Sequence, residues 1–399
     1  MRTVKRPGLL PILFVARTVI NMAPRIVYPF LPSLARGLGV PLAAATWFIT
    51  LRQVPGLAAP FLGPLVDRSS RRRVMELALL ILATASLLLV GWGIFPAAAV
   101  AFVLYGLAKV LYDPALYAYL GDTVPYGQRG RAIGFVELSW SMAWLVGVPA
   151  SGFLIERCGW RAPWAALIGL SVLSLGLTRL GLPPARRQAV DAGRADSAPP
   201  LLSLLRGWRD LLRRRRVVVL LLTSVLFMMA IEIPFVVYGA WLETSFGLSL
   251  TTLGLASIVV GLAEASAELG TTVITDRLGK RRSVLAGLSG LAASLVVLPG
   301  LARFGLVGAL AGVALIMVTF EFGIVSLLPL ATELAPEARA TLFSLNVAAF
   351  SLGRIAGAAT GGWLWQGQAG GIALNAWVGA GCALAAVILM AWGMVEIGE

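Results

Sequence analysis

Runs of roughly 20 apolar residues follow one another along almost the whole chain, and each is long enough to cross a hydrocarbon core of about 30 Å at 1.5 Å per helical residue. Lipid offers backbone N–H and C=O groups no partners, so a spanning segment is a helix or a strand of a closed barrel. These runs lack the alternation and the ~10-residue length of barrel strands. Of 399 residues, 58% are hydrophobic and 13% charged, a composition that lipid solvates. The pattern predicts an all-α integral membrane protein. Its twelve transmembrane helices lie at about 9–35, 42–66, 74–95, 97–120, 132–155, 161–182, 217–242, 251–275, 283–301, 304–330, 342–365 and 370–395.

The net charge of +14 is distributed in alternate loops. Arg2, Lys5 and Arg6, Arg68 with Arg71 to Arg73, Arg129 and Arg131, the stretch from Arg179 to Arg216, Arg277 with Lys280 to Arg282, and Arg339 all fall on the side of the first terminus. This asymmetry places both termini in the cytoplasm of a multi-pass inner or plasma membrane protein. It accounts for the basicity by the lipid bilayer, with no nucleic acid partner. The opening MRTVKRPGLLPILF has the charge order of a signal peptide. Its apolar run, however, continues past Pro24 and carries Arg17, Asn21 and Arg25, so it reads as a first functional helix. With two cysteines, Cys158 and Cys382, and no histidine, a disulfide framework, a His or Cys metal cluster and Ser-His-Asp chemistry are all excluded. No G-x-x-x-x-G-K-[ST] occurs, so no nucleotide and no cofactor is expected.

Residues 1–182 and 217–399 each hold six helices, joined by a linker at 183–216 that contains PPARRQAVDAGRADSAPP, too polar to insert. Within it, LLSLLRGWRDLLRRRR sets Leu201, Leu204, Leu205, Trp208, Leu211 and Leu212 at helical spacing with arginines opposite. This is either an interfacial helix on anionic headgroups or a cytosolic extension of the seventh span. The halves repeat at an offset of about 210 residues. MAPRIVYPFLPSLARGLGVPL pairs with EIPFVVYGAWLETSFGLSLTT, aligning Pro24 with Pro234, Tyr28 with Tyr238 and Gly37 with Gly247. GPLVDRSSRRRVM pairs with TVITDRLGKRRSVL, aligning Asp67 with Asp276 and Arg68 with Arg277, and GDTVPYGQRGRA echoes ATELAPEARAT. Even helix counts make the repeat parallel, about an axis along the membrane normal.

With these features the chain resembles the major facilitator superfamily over essentially its whole length. Gly63, Asp67, Arg68, Arg71 and Arg72 fit that family's G-x-x-x-D-R-x-x-R-R-x loop, and Asp276, Arg277 and Arg281 carry its degenerate copy. The resemblance implies two pseudo-symmetric six-helix bundles and a cytoplasmic gate at these loops; positive-inside anchoring alone is the other reading. Gly147, Pro149 and Gly152 in the fifth helix are similar to the antiporter branch's G-P-x-x-G, broken by Val148. Where that branch places a mid-membrane arginine in the fourth helix, this chain has Lys109, a point charge and not a bidentate fork.

Ionisable groups at membrane depth cost at least a few kcal/mol unless they face protein or water, so each is a candidate site residue. The first half carries Arg17, Arg25, Arg52, Lys109, Asp113 and Glu137; the second carries Glu232, Glu264, Glu268, Glu321 and Arg354. Arg17, Asn21 and Tyr28 share one stripe of the first helix, with Arg25 beside it. In the fourth helix Tyr105, Lys109 and Tyr112 share a face, and Asp113 follows Lys109 by one turn and either neutralises it or serves the solute. Glu264 and Glu268 form an i, i+4 carboxylate pair suited to proton exchange, or Glu268 braces the gate near Asp276. The expected solute contacts are Arg17, Asn21, Arg25, Tyr28, Arg52, Tyr105, Lys109, Tyr112, Trp144, Glu232, Tyr238 and Arg354. The candidate proton carriers are Asp113, Glu137, Glu264, Glu268 and Glu321. Two readings stand: basic and acidic walls that bind solute, or walls that pair across the cavity, for instance Arg354 with Glu321. Trp140 and Trp144 either line a broad site or pack.

The expected function is a secondary transporter, acting as a monomer by rocking two bundles and exporting a small amphipathic molecule in exchange for protons. Organic-anion uptake and transport of a lipid-like solute are alternatives within transport. A membrane-embedded enzyme or a non-transporting sensor is the reading from outside it.

Overall fold

A computed structural model describes residues 8–61, 69–183, 201–335, 338–366 and 371–394. Among them every regular element is helical. The first six spans are α1 (Leu9–Leu38), α2 (Leu42–Leu57), α3 (Arg71–Trp92), α4 (Phe95–Thr123), α5 (Tyr126–Cys158) and α6 (Ala162–Gly181). A separate helix α7 (Leu201–Leu212) precedes α8 (Arg215–Phe246), α9 (Leu250–Leu278), α10 (Lys280–Ala302), α11 (Gly305–Leu334), α12 (Arg339–Gln366) and α13 (Ala373–Gly393). Eleven of these are long and apolar enough to cross a membrane; the last turns expected of α2 fall partly on residues 62–68, outside the described set.

The packing repeats with the sequence. In the first bundle α3 lies on α4 and α6, α2 on α4, and α1 on α6; in the second α10 lies on α11 and α13, α9 on α11, and α8 on α13. Two seams join the bundles, α2 against α12 and α5 against α9. The repeat extends to a pair of segments with little identity. Gly147 faces Met22 and Gly357 faces Glu232, while Gly152 meets the Leu250 carbonyl and Gly362 meets Thr46, each pair offset by about 210 residues. One sequence pairing is refined. Gly37 packs under Trp160, and the left-handed residue that ends α1 as Gly247 ends α8 is Gly39, φ 65° against 62°.

The face that carries α7 is called the linker face, and the opposite one the distal face. The bundles meet tightly at the distal face. A Cβ on Gly152 would stand 2.4 Å from the Leu250 carbonyl, and one on Gly239 2.2 Å from the Pro29 carbonyl. Arg36 of α1 pairs with Glu243 of α8 at 2.8 Å. Glu156 of α5 accepts the Thr251 N–H at the start of α9 at 2.7 Å, a carboxylate from one bundle closing a helix N-terminus of the other. Gly152→Val should therefore wedge α5 off α9. The distance between spin labels on the distal ends of α1 and α8 is expected to lengthen, while Gly169→Ala, in open space, leaves it unchanged.

At the linker face the gate residues show the same symmetry. Arg72 donates to the Leu182 carbonyl just beyond α6 at 2.8 Å, and Arg281 donates to the Ala391 carbonyl at the end of α13 at 3.0 Å. Both satisfy carbonyls that a helix end leaves open. Arg71 lies 3.8 Å from Asp122, Lys280 pairs with Glu333, and Arg277 is exposed. Gly63, Asp67, Arg68 and the Asp276 side chain lie outside the described residues. The linker helix is no extension of the seventh span, because α7 ends at Leu212 and the extended Arg214 (ψ 112°) breaks it from α8.

Candidate functional site

The fourth helix shows how local sequence builds the site. Lys109, Asp113 and Tyr117 recur every four residues and so share one face of α4, aimed at α1 and α5. Lys109 Nζ donates to Asp113 Oδ2 at 2.6 Å and to Asn21 Oδ1 at 2.9 Å. Arg17, 1% exposed, holds Asp113 at 3.4 Å and Glu137 at 3.0 Å, and donates to the Tyr117 hydroxyl at 2.6 Å and the Val136 carbonyl at 3.1 Å. Tyr117 in turn donates to Glu137, and Asn21 to Ser139. Two cations and two carboxylates thus balance within α1, α4 and α5 of a single bundle, the arrangement that makes charge tolerable away from water. Tyr117 was absent from the expected site, although the four-residue recurrence after Lys109 and Asp113 marks it.

A second group of charges crosses between bundles. Arg25 of α1 binds Glu264 of α9 at 3.1 Å, and the same carboxylate accepts the Trp144 indole N–H at 3.2 Å. Trp144 sits in a π-helical turn, Ala143–Gly147, just before Pro149, whose missing N–H removes an ordinary helical hydrogen bond there. Trp140, half-buried, lies 4.2 Å from both the Arg25 guanidinium and Lys109 Nζ, and so joins the two groups through cation–π contacts.

The third group centres on Tyr28. Its hydroxyl receives Arg52 of α2 at 2.9 Å and donates to Glu232 of α8 at 2.7 Å. Glu232, 0% exposed, also binds Arg354 of α12 at 2.7 Å, and Arg52 donates to the Pro24 carbonyl at 2.8 Å. Arg354 has Glu321 as its partner in one of the two readings above. The structure pairs it instead with Glu232 of its own bundle, one helix away on α8, and the crossing is made by Tyr28. On the distal side of these charges Phe235 gathers Tyr28, Trp144 and Tyr238 at centroid distances of 4.9, 5.9 and 5.1 Å.

Two carboxyls stand apart. Glu268 and Glu321 are half-buried and have neither an ion pair nor a hydrogen bond among the described residues. Glu321 lies within electrostatic reach of Glu264, Glu268, Arg25 and Arg354, and Glu268 within reach of Glu264, Glu137, Arg25 and Arg17. Counted along the helices at 1.5 Å per residue, Glu268, Asp113 and Glu137 lie about 15 Å below the linker face and Glu321, Lys109 and Arg354 about 20 Å. Glu137, Asp113 and Arg354 are 30%, 23% and 25% exposed. These partly exposed groups lie on the linker side of the tight distal contacts.

Two of the expected contacts point elsewhere. Tyr105 donates to Ser86 at 3.0 Å and stacks on Trp164 at 5.6 Å, inside the first bundle, where an aromatic ring one turn before Lys109 packs between α3 and α6. Tyr238 bonds Ser257 at 2.7 Å within the second bundle. Tyr112 is wholly buried, and its hydroxyl has no hydrogen-bond partner among the described residues. Gly147 and Gly152 lie at helix contacts, against Met22 and Leu250, and Pro149 backs onto Gly254 across the α5/α9 seam.

Two packed helical bundles, eleven of whose helices are long and apolar enough to cross a membrane, with paired charges at membrane depth, are the architecture of a membrane transporter. The chain belongs to the Major Facilitator Superfamily, whose profile matches residues 13–238 and 220–397. It is 25% identical over 350 residues to the MFS-type transporter YceJ of Bacillus subtilis, covering 86% of this chain and 85% of that one. It is 26% identical over 287 residues to the class C tetracycline resistance protein of Escherichia coli, covering 68% and 69%. In fold it is similar to the inward-open xylose transporter XylE of E. coli, at a TM-score of 0.76 and 15% identity, covering 98% and 97%.

Proposed function

We propose that this transporter works as a proton-coupled exporter of amphipathic solutes bearing positive charge. One observation carries the reading: among the described residues, all the intramembrane carboxyls but Glu268 and Glu321 are held by a cation. Asp113 and Glu137 are held by Arg17 and Lys109, Glu264 by Arg25, and Glu232 by Arg354. A carboxylate without a partner at this depth is costly, and either a proton or a cationic group on the solute relieves it. Two occupants competing for one group is the condition for exchange. The positive-inside distribution supports a cytoplasmic linker face; on this reading a chamber among these charges loads from that side, and the distal contacts part to release outward. The likeness to a tetracycline resistance protein supports export of drug-like molecules.

Reconstitution in proteoliposomes with an imposed proton gradient tests this. Lipophilic cations are expected to move against their gradient and to release protons on binding. Gradient-driven flux of organic anions instead of cations would favour uptake of anions at the arginines, and flux indifferent to the gradient would rule out proton coupling.

A further inference from the structure

The linker helix α7 is anchored at the linker face. Trp208 of this helix meets Phe61, just past the linker end of α2, edge-on with centroids 4.8 Å apart, Leu211 is buried, and α7 packs as well on α8 and α12. Since α2 and α12 belong to different bundles and form one of the two seams, α7 lies across a joint that must move when the bundles rock. Its outer side carries Arg209, followed by Arg213, Arg214, Arg215 and Arg216, all exposed. Asp210 lies 3.9 Å from Arg209. Leu212, 47% exposed, stands among them.

We propose that the junction of α7 and α8 is a docking surface for anionic phospholipid headgroups, through which the bilayer holds the linker-face seam. Arg215 and Arg216 are the first residues of a spanning helix and so sit at headgroup depth. Guanidinium forks match phosphate oxygens, and an exposed leucine at the same level meets acyl chain where a soluble acidic protein would offer it water. A charged surface leaflet supplies this partner along the whole face.

Native mass spectrometry of the purified protein, titrated with phosphatidylglycerol or phosphatidylcholine, tests the site independently of any transported solute. The wild-type protein is expected to retain phosphatidylglycerol preferentially, and the combined Arg213→Gln, Arg215→Gln and Arg216→Gln variant to lose that preference by roughly tenfold or more. The corresponding Lys variant keeps charge without the fork and should retain part of it. Labelling of Cys158, exposed at the distal end of α5, establishes that each variant keeps its orientation. Equal retention of both lipids by the wild type, or an undiminished preference in the Gln variant, overturns the site. A soluble polyglutamate peptide displacing the lipid at equal concentration assigns the surface to an acidic protein. Spin labels on the linker ends of α2 and α12 should report different distances in nanodiscs of the two lipids, and identical distances overturn the coupling to the seam.

Discussion

Replacing Glu321 by Gln is expected to lower the accumulation ratio that a pH gradient of one unit sustains from about 100-fold to about tenfold. One unit of pH is worth about 1.4 kcal/mol for each proton exchanged, a factor of ten in concentration. Two carboxyls without partners, Glu268 and Glu321, are enough for two protons in each cycle. Glu268→Gln should act alike, and the double variant should equilibrate its solute without concentrating it. The ratio is read at steady state with the membrane potential clamped at zero, so that only the proton term drives. Glu137→Gln is the contrast. Its carboxyl is tied to Arg17 and Tyr117, so the expected loss is in folded yield, with the ratio per functional transporter unchanged. A Glu321→Gln protein that concentrates solute as steeply as the wild type removes that residue from the coupling.

The helices, the two halves and the symmetry of their gate arginines were legible because each is written in periodic signals: apolar runs, a repeat offset and a loop pattern. The membrane charges were legible as a set for the same reason, since an ionisable residue in an apolar run has to be accounted for. Their pairing was not. Helical periodicity orients Lys109 toward Asp113 within one helix. It says nothing about which residue of another helix stands opposite, so the partner of Arg354 was misplaced and the Tyr28 hub linking Arg52, Glu232 and Arg354 did not show. Tyr105 illustrates the converse. It shares a face with Lys109 by spacing, yet its ring extends toward Ser86 and Trp164, because a long aromatic side chain is drawn by packing neighbours that sequence does not place. Gly357 and Gly362 escaped the repeat search through their low identity, and only their contacts reveal them as the partners of Gly147 and Gly152.

Changes at the Tyr28 hub should separate stability from conformational balance. Glu232→Gln removes the one carboxylate that Arg354 binds, while Arg52 stays fixed to Tyr28 and the Pro24 carbonyl. Arg354, 25% exposed, then keeps its charge without a carboxylate partner, so the variant is expected to melt below the wild type. Tyr28→Phe acts differently, because it leaves the Glu232 pair with Arg354 intact and removes the hydroxyl through which α1 and α2 reach α8 and α12. Hydrogen bonds to charged groups are worth about 1.5–3 kcal/mol each. Losing the bond from Tyr28 to Glu232, which crosses the seam, should therefore move the balance between distal-closed and distal-open forms by a factor of roughly ten to a hundred. Distances between labels on the distal ends of α1 and α8 should then show a second, longer population that the wild type lacks, while the melting temperature falls less than in Glu232→Gln. An unchanged distance distribution would mean that the glycine contacts and the Arg36 pair with Glu243 hold the distal face closed without help from the chamber. The charges at the midplane would then respond to the rocking of the bundles without setting it.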